Sequence, residues 1–325
     1  MSSILKNILF AILSTLAALG LMWWVYRGFD FGGLVSFFTH RTNYLWMSLA
    51  ALFGVCANVL RSLRWRELLR GAGIQISVRR SVELIFISYL VNSLTPRLGE
   101  LTRSLLVRRG DPEVTTKALG TVVVEKLVDV ACLVVVAGIA VMLRWKATVG
   151  LVDKVGEGLQ WVVPSYSFYI IVGGFVCLLI GISLPLWHHV RRFFRNLWLG
   201  ISALSRLESP LTFVSLSAAI WTFNFLQMFV LVPCFPGLED ISTADFIHVF
   251  AAASIGMLLP TPAGAGPWLF AIVKTLTLSY AVEKAVAQSF AFISHGIKTL
   301  LVILLGLIGC FGYNQSLISR VRQRK

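Results

Sequence analysis

Apolar residues fall along this chain in long blocks rather than alternating with polar ones. Uninterrupted blocks run at about 4–26, 43–60, 165–187 and 211–235. Two more, about 117–143 and 283–312, are as long but contain charges. Each approaches the roughly 20 residues a helix needs to cross a bilayer's hydrocarbon core. The pattern predicts an all-α polytopic membrane protein with about six transmembrane helices. The first block is long for a signal peptide and lacks a clear small-residue cleavage site, so it is read as a span. Two further apolar stretches, about 82–107 and 244–280, are broken in the middle by proline and glycine.

Lysine and arginine set the expected topology. The stretch after the second block holds Arg61, Arg64, Arg66, Arg70, Arg79 and Arg80, read as a loop. The stretch after 165–187 holds Arg191, Arg192, Arg195 and Arg206, and the tail holds Arg320, Arg322, Arg324 and Lys325. Basic loops face the cytoplasm. The 27–42 loop has only Arg27 and Arg41, and 236–243 has Glu239 and Asp240 without a base, so these face outside. All basic loops fall on one side only if each broken stretch enters the membrane and returns. The 82–107 stretch then dips from the cytoplasm and 244–280 from outside. Both termini are expected in the cytoplasm, and the membrane is expected to be a bacterial inner membrane. Non-helical backbone at membrane depth must be surrounded by protein or a water-filled cavity, so the two re-entrant dips are expected to meet.

The order span, span, dip, span occurs twice, in 1–164 and in 165–325, within a single transmembrane domain. The halves start on opposite sides, which makes them an inverted repeat. Such repeats, with broken helices in corresponding places, are a transporter architecture. The segment 189–207 is amphipathic and suits the interface or an ordinary loop helix.

Composition agrees: 57% of the 325 residues are hydrophobic, and mean hydropathy is +0.80. The net charge of +14 follows from loops facing an anionic leaflet, so no nucleic-acid partner is expected. The five cysteines lie in or beside apolar segments and form no CxxC pair. His188 and His189 are adjacent and share no helix face. No metal or cofactor is expected.

The candidate chemistry lies at the two breaks and in one charged span. In Asn92-Ser-Leu-Thr-Pro-Arg-Leu-Gly-Glu-Leu-Thr-Arg103, Thr95 suits an N-cap and Pro96 the first position of a new helix. Gly99 permits close backbone approach. A half-helix starting here would aim free N–H groups and its positive dipole end inward, an anion site. Arg97 adds a guanidinium fork suited to phosphate, and Glu100 and Arg103, one turn apart, can pair. The second break, Pro260-Thr261-Pro262-Ala263-Gly264-Ala265-Gly266, repeats the cap-then-proline pattern with Thr261 and Pro262, but carries no charge. In the 117–143 block, Glu125 and Asp129 share a face, and Lys126 and Asp129 can pair. Charges inside a span usually face the bundle interior or a pathway. The purely structural alternative is a salt-bridge network to Arg97 or Arg103. His295, Lys298 and Lys274 are weaker candidates; Asn224 and Gln227 are explained by packing hydrogen bonds.

On these residues the chain resembles the flippase-like membrane proteins related to the transmembrane region of bacterial lysylphosphatidylglycerol synthases, a group also labelled dolichol-phosphate-glucose synthetases. That group's pattern, an Asn followed by Pro-x-Arg-x-Gly-Glu-x-x-Arg, is matched by Asn92, Pro96, Arg97, Gly99, Glu100 and Arg103. Its Glu-Arg-x-x-Asp is matched by Glu125 and Asp129, with Lys126 in place of arginine. Its late turn is matched by Pro260, Pro262, Gly264 and Gly266. Where the group often has a glutamate after that turn, this chain has Pro267 and Trp268. The synthases' soluble aminoacyl-transfer domain has no counterpart after the last span. The resemblance therefore implies lipid translocation, not lysine transfer, and a transporter rather than an enzyme.

The expected substrate is an anionic phospholipid or polyprenyl-phosphate-linked lipid whose headgroup passes between the dips. Arg97, Arg103 and the half-helix N-terminus would hold the phosphate. Glu100, Glu125 and Asp129 would balance the arginines and could exchange protons. Two alternatives stand beside it: a membrane-embedded glycosyl- or phosphotransferase acting on polyprenyl phosphate, and a small-anion secondary transporter. The first lacks an Asp-x-Asp pair, a P-loop and a hydrophilic loop large enough for a nucleotide fold. Oligomeric state is left open.

Overall fold

A computed structural model describes residues 19–20, 22–23, 25–27, 41–95, 98–108, 110–160, 204, 206–259, 261 and 264–322. The described residues are helical, without strands. In chain order the helices are α1 (Arg41–Gly71), α2 (Val78–Leu94), α3 (Leu98–Val107), α4 (Pro112–Leu143), α5 (Trp145–Gln160), α6 (Pro210–Phe229), α7 (Thr243–Gly256), α8 (Pro267–Tyr280) and α9 (Lys284–Arg322), with a 3-10 turn at Val232–Cys234.

Among the described residues, four segments are long and apolar enough to cross a membrane: Tyr44–Gly71, Pro112–Leu143, Pro210–Cys234 and Lys284–Asn314. They coincide with four of the six expected spans. The 165–187 block, the 189–207 segment and most of the 4–26 block lie outside the described residues. The end of that first block is seen where it packs: Val25 is buried, and the Tyr26 hydroxyl donates to the Gln288 carbonyl in α9 at 3.2 Å. Outward faces of α4 and α9 are apolar, with Met142, Val134, Ile308 and Phe311 exposed. Contiguous exposed apolar surface of this kind belongs against lipid rather than water. The chain is an integral, polytopic helical membrane protein.

The boundary after the second block differs from expectation. Arg61, Arg64, Arg66 and Arg70 lie within α1, not in a loop. Arginine, leucine and glutamate are good helix formers, so the helix continues past its apolar run. It ends where Gly73 takes φ +78 and the Ala72, Gly73 and Ile74 amides bond back to Leu68, Arg70 and Leu69 carbonyls.

The two broken stretches form helical hairpins. Gly99 of α3 lies against Ser88 and Asn92 of α2, while the Arg80 guanidinium reaches the Leu106 carbonyl at 3.3 Å. Gly256 abuts Pro267, while His248 Nδ1 meets the Tyr280 hydroxyl at 2.8 Å. Each pair is therefore antiparallel, with its tip at the break. At about 1.5 Å per residue, these helices of 17, 10, 14 and 14 residues are shorter than the roughly 30 Å hydrocarbon core.

Helix α9 locates both tips. Its glycines Gly306, Gly309 and Gly312 face α2: a side chain at Gly306 would strike Leu90, one at Gly309 would come within 2.9 Å of Phe86 Cβ, and one at Gly312 would meet Glu83 Oε1. Small residues let helices approach closely in lipid. The order 306–90, 309–86, 312–83 makes α9 antiparallel to α2, so Leu94 at the first tip lies about one turn N-terminal of Gly306. Lys298 sits near there too, with Nζ 3.2 Å from Met257 Sδ and 5.7 Å from the Trp268 ring centroid at the second tip. The second tip stands directly against α9, which runs along α2 toward the first. Both expose leucines: Leu94 and Leu98 on the first, Leu258 and Leu259 on the second.

Candidate anion-binding site

The first hairpin is closed by Asn92, whose Oδ1 accepts from the Gly99 amide at 2.8 Å. A helix's first N–H groups lack intrahelical partners, and Asn92 satisfies one of them from across the turn. The expectation for Thr95 is corrected: it ends α2 rather than capping α3, with its amide and hydroxyl both donating to the Val91 carbonyl at 2.8 and 2.9 Å. Gly99 is required by contact, since a β-carbon there would collide with the Ser88 carbonyl oxygen. Pro96 and Arg97 lie outside the described residues.

Beside this hairpin is a buried charge cluster drawn from three helices. Arg61 Nη1 and Arg64 Nη2 of α1 each donate to one oxygen of Asp129 at 2.7 Å. Both also stand 3.7 Å from Glu125 Oε1. Arg103 Nη2 of α3 donates to Glu125 Oε2 at 2.8 Å and lies over the Trp65 ring at 4.6 Å. Trp65 in turn donates to Thr121 Oγ1 at 3.1 Å. Lys126 Nζ meets Glu100 Oε1 at 3.0 Å. The expected within-helix pairs Glu100–Arg103 and Lys126–Asp129 are replaced by pairs between helices. Helical spacing brings same-face residues near one another, but packing against another helix decides the partner.

Burial grades across the cluster. The side chains of Arg64, Glu125 and Arg103 are at most 3% exposed. Arg61, Asp129 and Glu100 are 16–18% exposed and Lys126 is 52% exposed. The inner three form a structural pin, and the outer four are partly exposed. Four bases face three acids, an excess of one positive charge before Arg97 is counted. Arg64 Nε, Arg103 Nε and Glu100 Oε2 are buried without a hydrogen-bond partner among the described residues.

The second tip is built from backbone. Gly264 and Gly266 take φ +72 and +82, and Thr261 Oγ1 donates to the Ala265 carbonyl at 2.9 Å. Helix α8 starts at Pro267 after Gly266, which corrects the expected Thr261–Pro262 start: Pro267 fills the first-turn position that a proline favours. Pro260 and Pro262 lie outside the described residues. His295 packs its ring 5.3 Å from Trp268, and Asn224 donates to its own helix at Ile220.

Arg61 and Arg64 were counted in the sequence only as topology markers. Their i,i+3 spacing matches the i,i+4 spacing of Glu125 and Asp129, and that was the available signal. Glu83, buried beside Arg79 at 2.9 Å and Gly312, was also missed.

Comparison with known proteins now decides the family. Residues 10–306 match the family described as the Lysylphosphatidylglycerol synthase TM region. The chain belongs to this family. The chain is similar to the UPF0104 membrane protein PH1989 of Pyrococcus horikoshii, 26% identical over 135 residues, covering 40% of this chain and 39% of that protein. It is also similar to the Glycosyltransferase AglD of Haloferax volcanii, 26% identical over 318 residues, covering 85% of this chain and 50% of that protein. The chain thus spans half or less of the curated relatives it matches. No solved structure matches it.

Proposed function

We propose that this protein is a lipid flippase or transporter that moves the headgroup of an anionic phospholipid or polyprenyl-phosphate-linked lipid across the membrane between its two hairpins. Membership in a lipid-associated transmembrane family and the polytopic helical fold support a transport role. The observation that carries the reading is the buried, net-positive cluster beside a hairpin too short to span. On this reading both hairpins are re-entrant and enter from opposite sides, and the two halves, each a span, a hairpin and a span among the described helices, are inverted repeats. Both termini are cytoplasmic. Helices α3 and α8 start at the tips and turn their positive ends inward. The phosphate meets the more exposed side of the cluster, Arg61 and Lys126, together with Arg97. The acyl or prenyl chains stay in the bilayer, so only the polar headgroup needs a protein path. No chemical step is required of the protein.

The test is headgroup scrambling in proteoliposomes, with fluorescent anionic lipids and a membrane-impermeant quencher. Arg97→Ala leaves every pair described above in place. It should abolish scrambling seen with the wild type while the protein inserts and melts normally. Undiminished scrambling by that variant would remove the anion-site reading. The printed name of the Haloferax relative favours a second reading, a membrane-embedded glycosyl- or phosphotransferase. Transfer from a sugar nucleotide to polyprenyl phosphate by the purified chain would establish it.

A further inference from the structure

Each of the four bases at the first hairpin, Arg61, Arg64, Arg103 and Lys126, has a carboxylate within 3.7 Å. Lys298, inside the apolar run of α9, is different. Its ammonium meets the Met257 thioether at 3.2 Å and the face of Trp268 at 5.7 Å, and no carboxylate pairs with it among the described residues. A thioether is a weak acceptor. A cation within a span normally pairs, or faces a polar pathway. Lys298 is half-buried rather than sealed.

Its place in the fold adds to this. One turn along α9, Leu301 packs against Gly54 of α1. Arg61 lies two turns further along α1. The acids nearest Arg61, Asp129 and Glu125, are already shared with Arg64 and Arg103. The second tip has no charge of its own, and Lys298 is a base in direct contact with it.

We propose that Lys298 is a second phosphate-binding position, beside the tip of the second hairpin, that receives a lipid headgroup phosphate from the cluster at the first hairpin. The proposal deepens the flippase reading and rests on it. The ligand chemistry is a phosphate monoester or diester, and both a lipid headgroup and free phosphate could supply it.

Two measurements on the full chain separate the outcomes, using wild type, K298Q and K298R. The first is scrambling of fluorescent phosphatidylglycerol in proteoliposomes. The second is binding of short-chain phosphatidylglycerol to detergent-purified protein by native mass spectrometry, with inorganic phosphate as competitor. K298Q should slow scrambling at least tenfold and weaken lipid binding severalfold, with an unchanged melting temperature. K298R should keep most of both. Competition by inorganic phosphate that disappears in K298Q supports a phosphate site open to either source. Lack of competition, with lipid binding still lost in K298Q, supports a site restricted to the headgroup. If the wild type scrambles and binds and K298Q does the same, the proposal is overturned while the flippase reading stands. If the wild type scrambles nothing but loses binding on K298Q substitution, the flippase reading fails and the site stands. If the wild type does neither, both fail.

Discussion

The two hairpins share one plan and differ in how they are tied to the rest of the molecule. Each is an antiparallel pair of short helices with a glycine at a close approach, and each packs against α9. The first is joined to the middle of α4 through Arg103–Glu125 and Lys126–Glu100. The second is joined to the end of α4 through Arg144 and Asp245, 2.6 Å apart. These ties are about 28 Å apart along α4 at the usual helical rise. The first hairpin is thus held by charge at depth. The second is held by aromatic packing, with Phe225, Phe246, Phe250 and Phe290 stacked edge to face, and by one partly exposed ion pair. Buried charge is costly to keep and costly to lose.

The largest expected effect comes from breaking that charge. Glu125→Ala removes the carboxylate facing Arg103 and leaves a guanidinium buried and unpaired, which should cost about 3–5 kcal/mol. The double variant Glu125→Ala with Arg103→Met should recover a large part, because the stranded charge is gone as well. Thermal melts in detergent read both. A double variant as unstable as Glu125→Ala would mean that the pair is not the pin of the first hairpin.

The glycines sharpen the contrast. Gly99→Ala drives a methyl into the Ser88 backbone oxygen, which cannot rotate away, at a cost of about 1–3 kcal/mol. Gly264→Ala meets only the flexible end of Met257, at 3.3 Å, but must hold φ +72, at roughly 1–2 kcal/mol for a non-glycine residue. The Gly99 variant should melt lower. The reverse order would mean that the second tip depends on its backbone shape more than the first depends on contact.

Much of this was legible in the sequence. Block lengths located the four described spans, and proline with glycine located both breaks, because bilayer thickness and helix-breaking chemistry act locally. Glu125, Asp129, Glu100 and Arg103 stood out as charges in apolar surroundings. Their partners did not, since helical spacing reports which residues share a face and not which helix that face will meet. Arg61 and Arg64 were hidden by a related limit: the apolar run ends at residue 60, while α1 continues to Gly71 and carries these two arginines to carboxylates on α4. Asn92 was recognised, but its work across the hairpin depends on a turn geometry that spacing alone does not reveal. Thr95 and Thr261 had the right chemistry for caps and were used otherwise, one closing α2 and the other bracing the turn before Pro267.

The smallest expected effect tests the second hairpin's tie to α4. Burial pushes the Asp245 carboxyl up, but hydrogen bonds from the Ser242 hydroxyl and amide and the Arg144 charge outweigh it and hold the group below its usual range. A carboxyl with a depressed folded pKa contributes stability that is present above its unfolded value, about 3.9, and is lost as pH falls through the folded value. Arg144 is 37% exposed, so solvent screens the pair and its worth is about 0–1 kcal/mol. Arg144→Gln should therefore lower the melting temperature slightly at neutral pH. Its deficit relative to wild type should shrink below about pH 4, where protonation of Asp245 removes the same interaction from both. Added salt should shrink it as well. A deficit that stays constant through the acid range would mean that Arg144 acts by packing alone, and that the second hairpin has no ionic tie to α4.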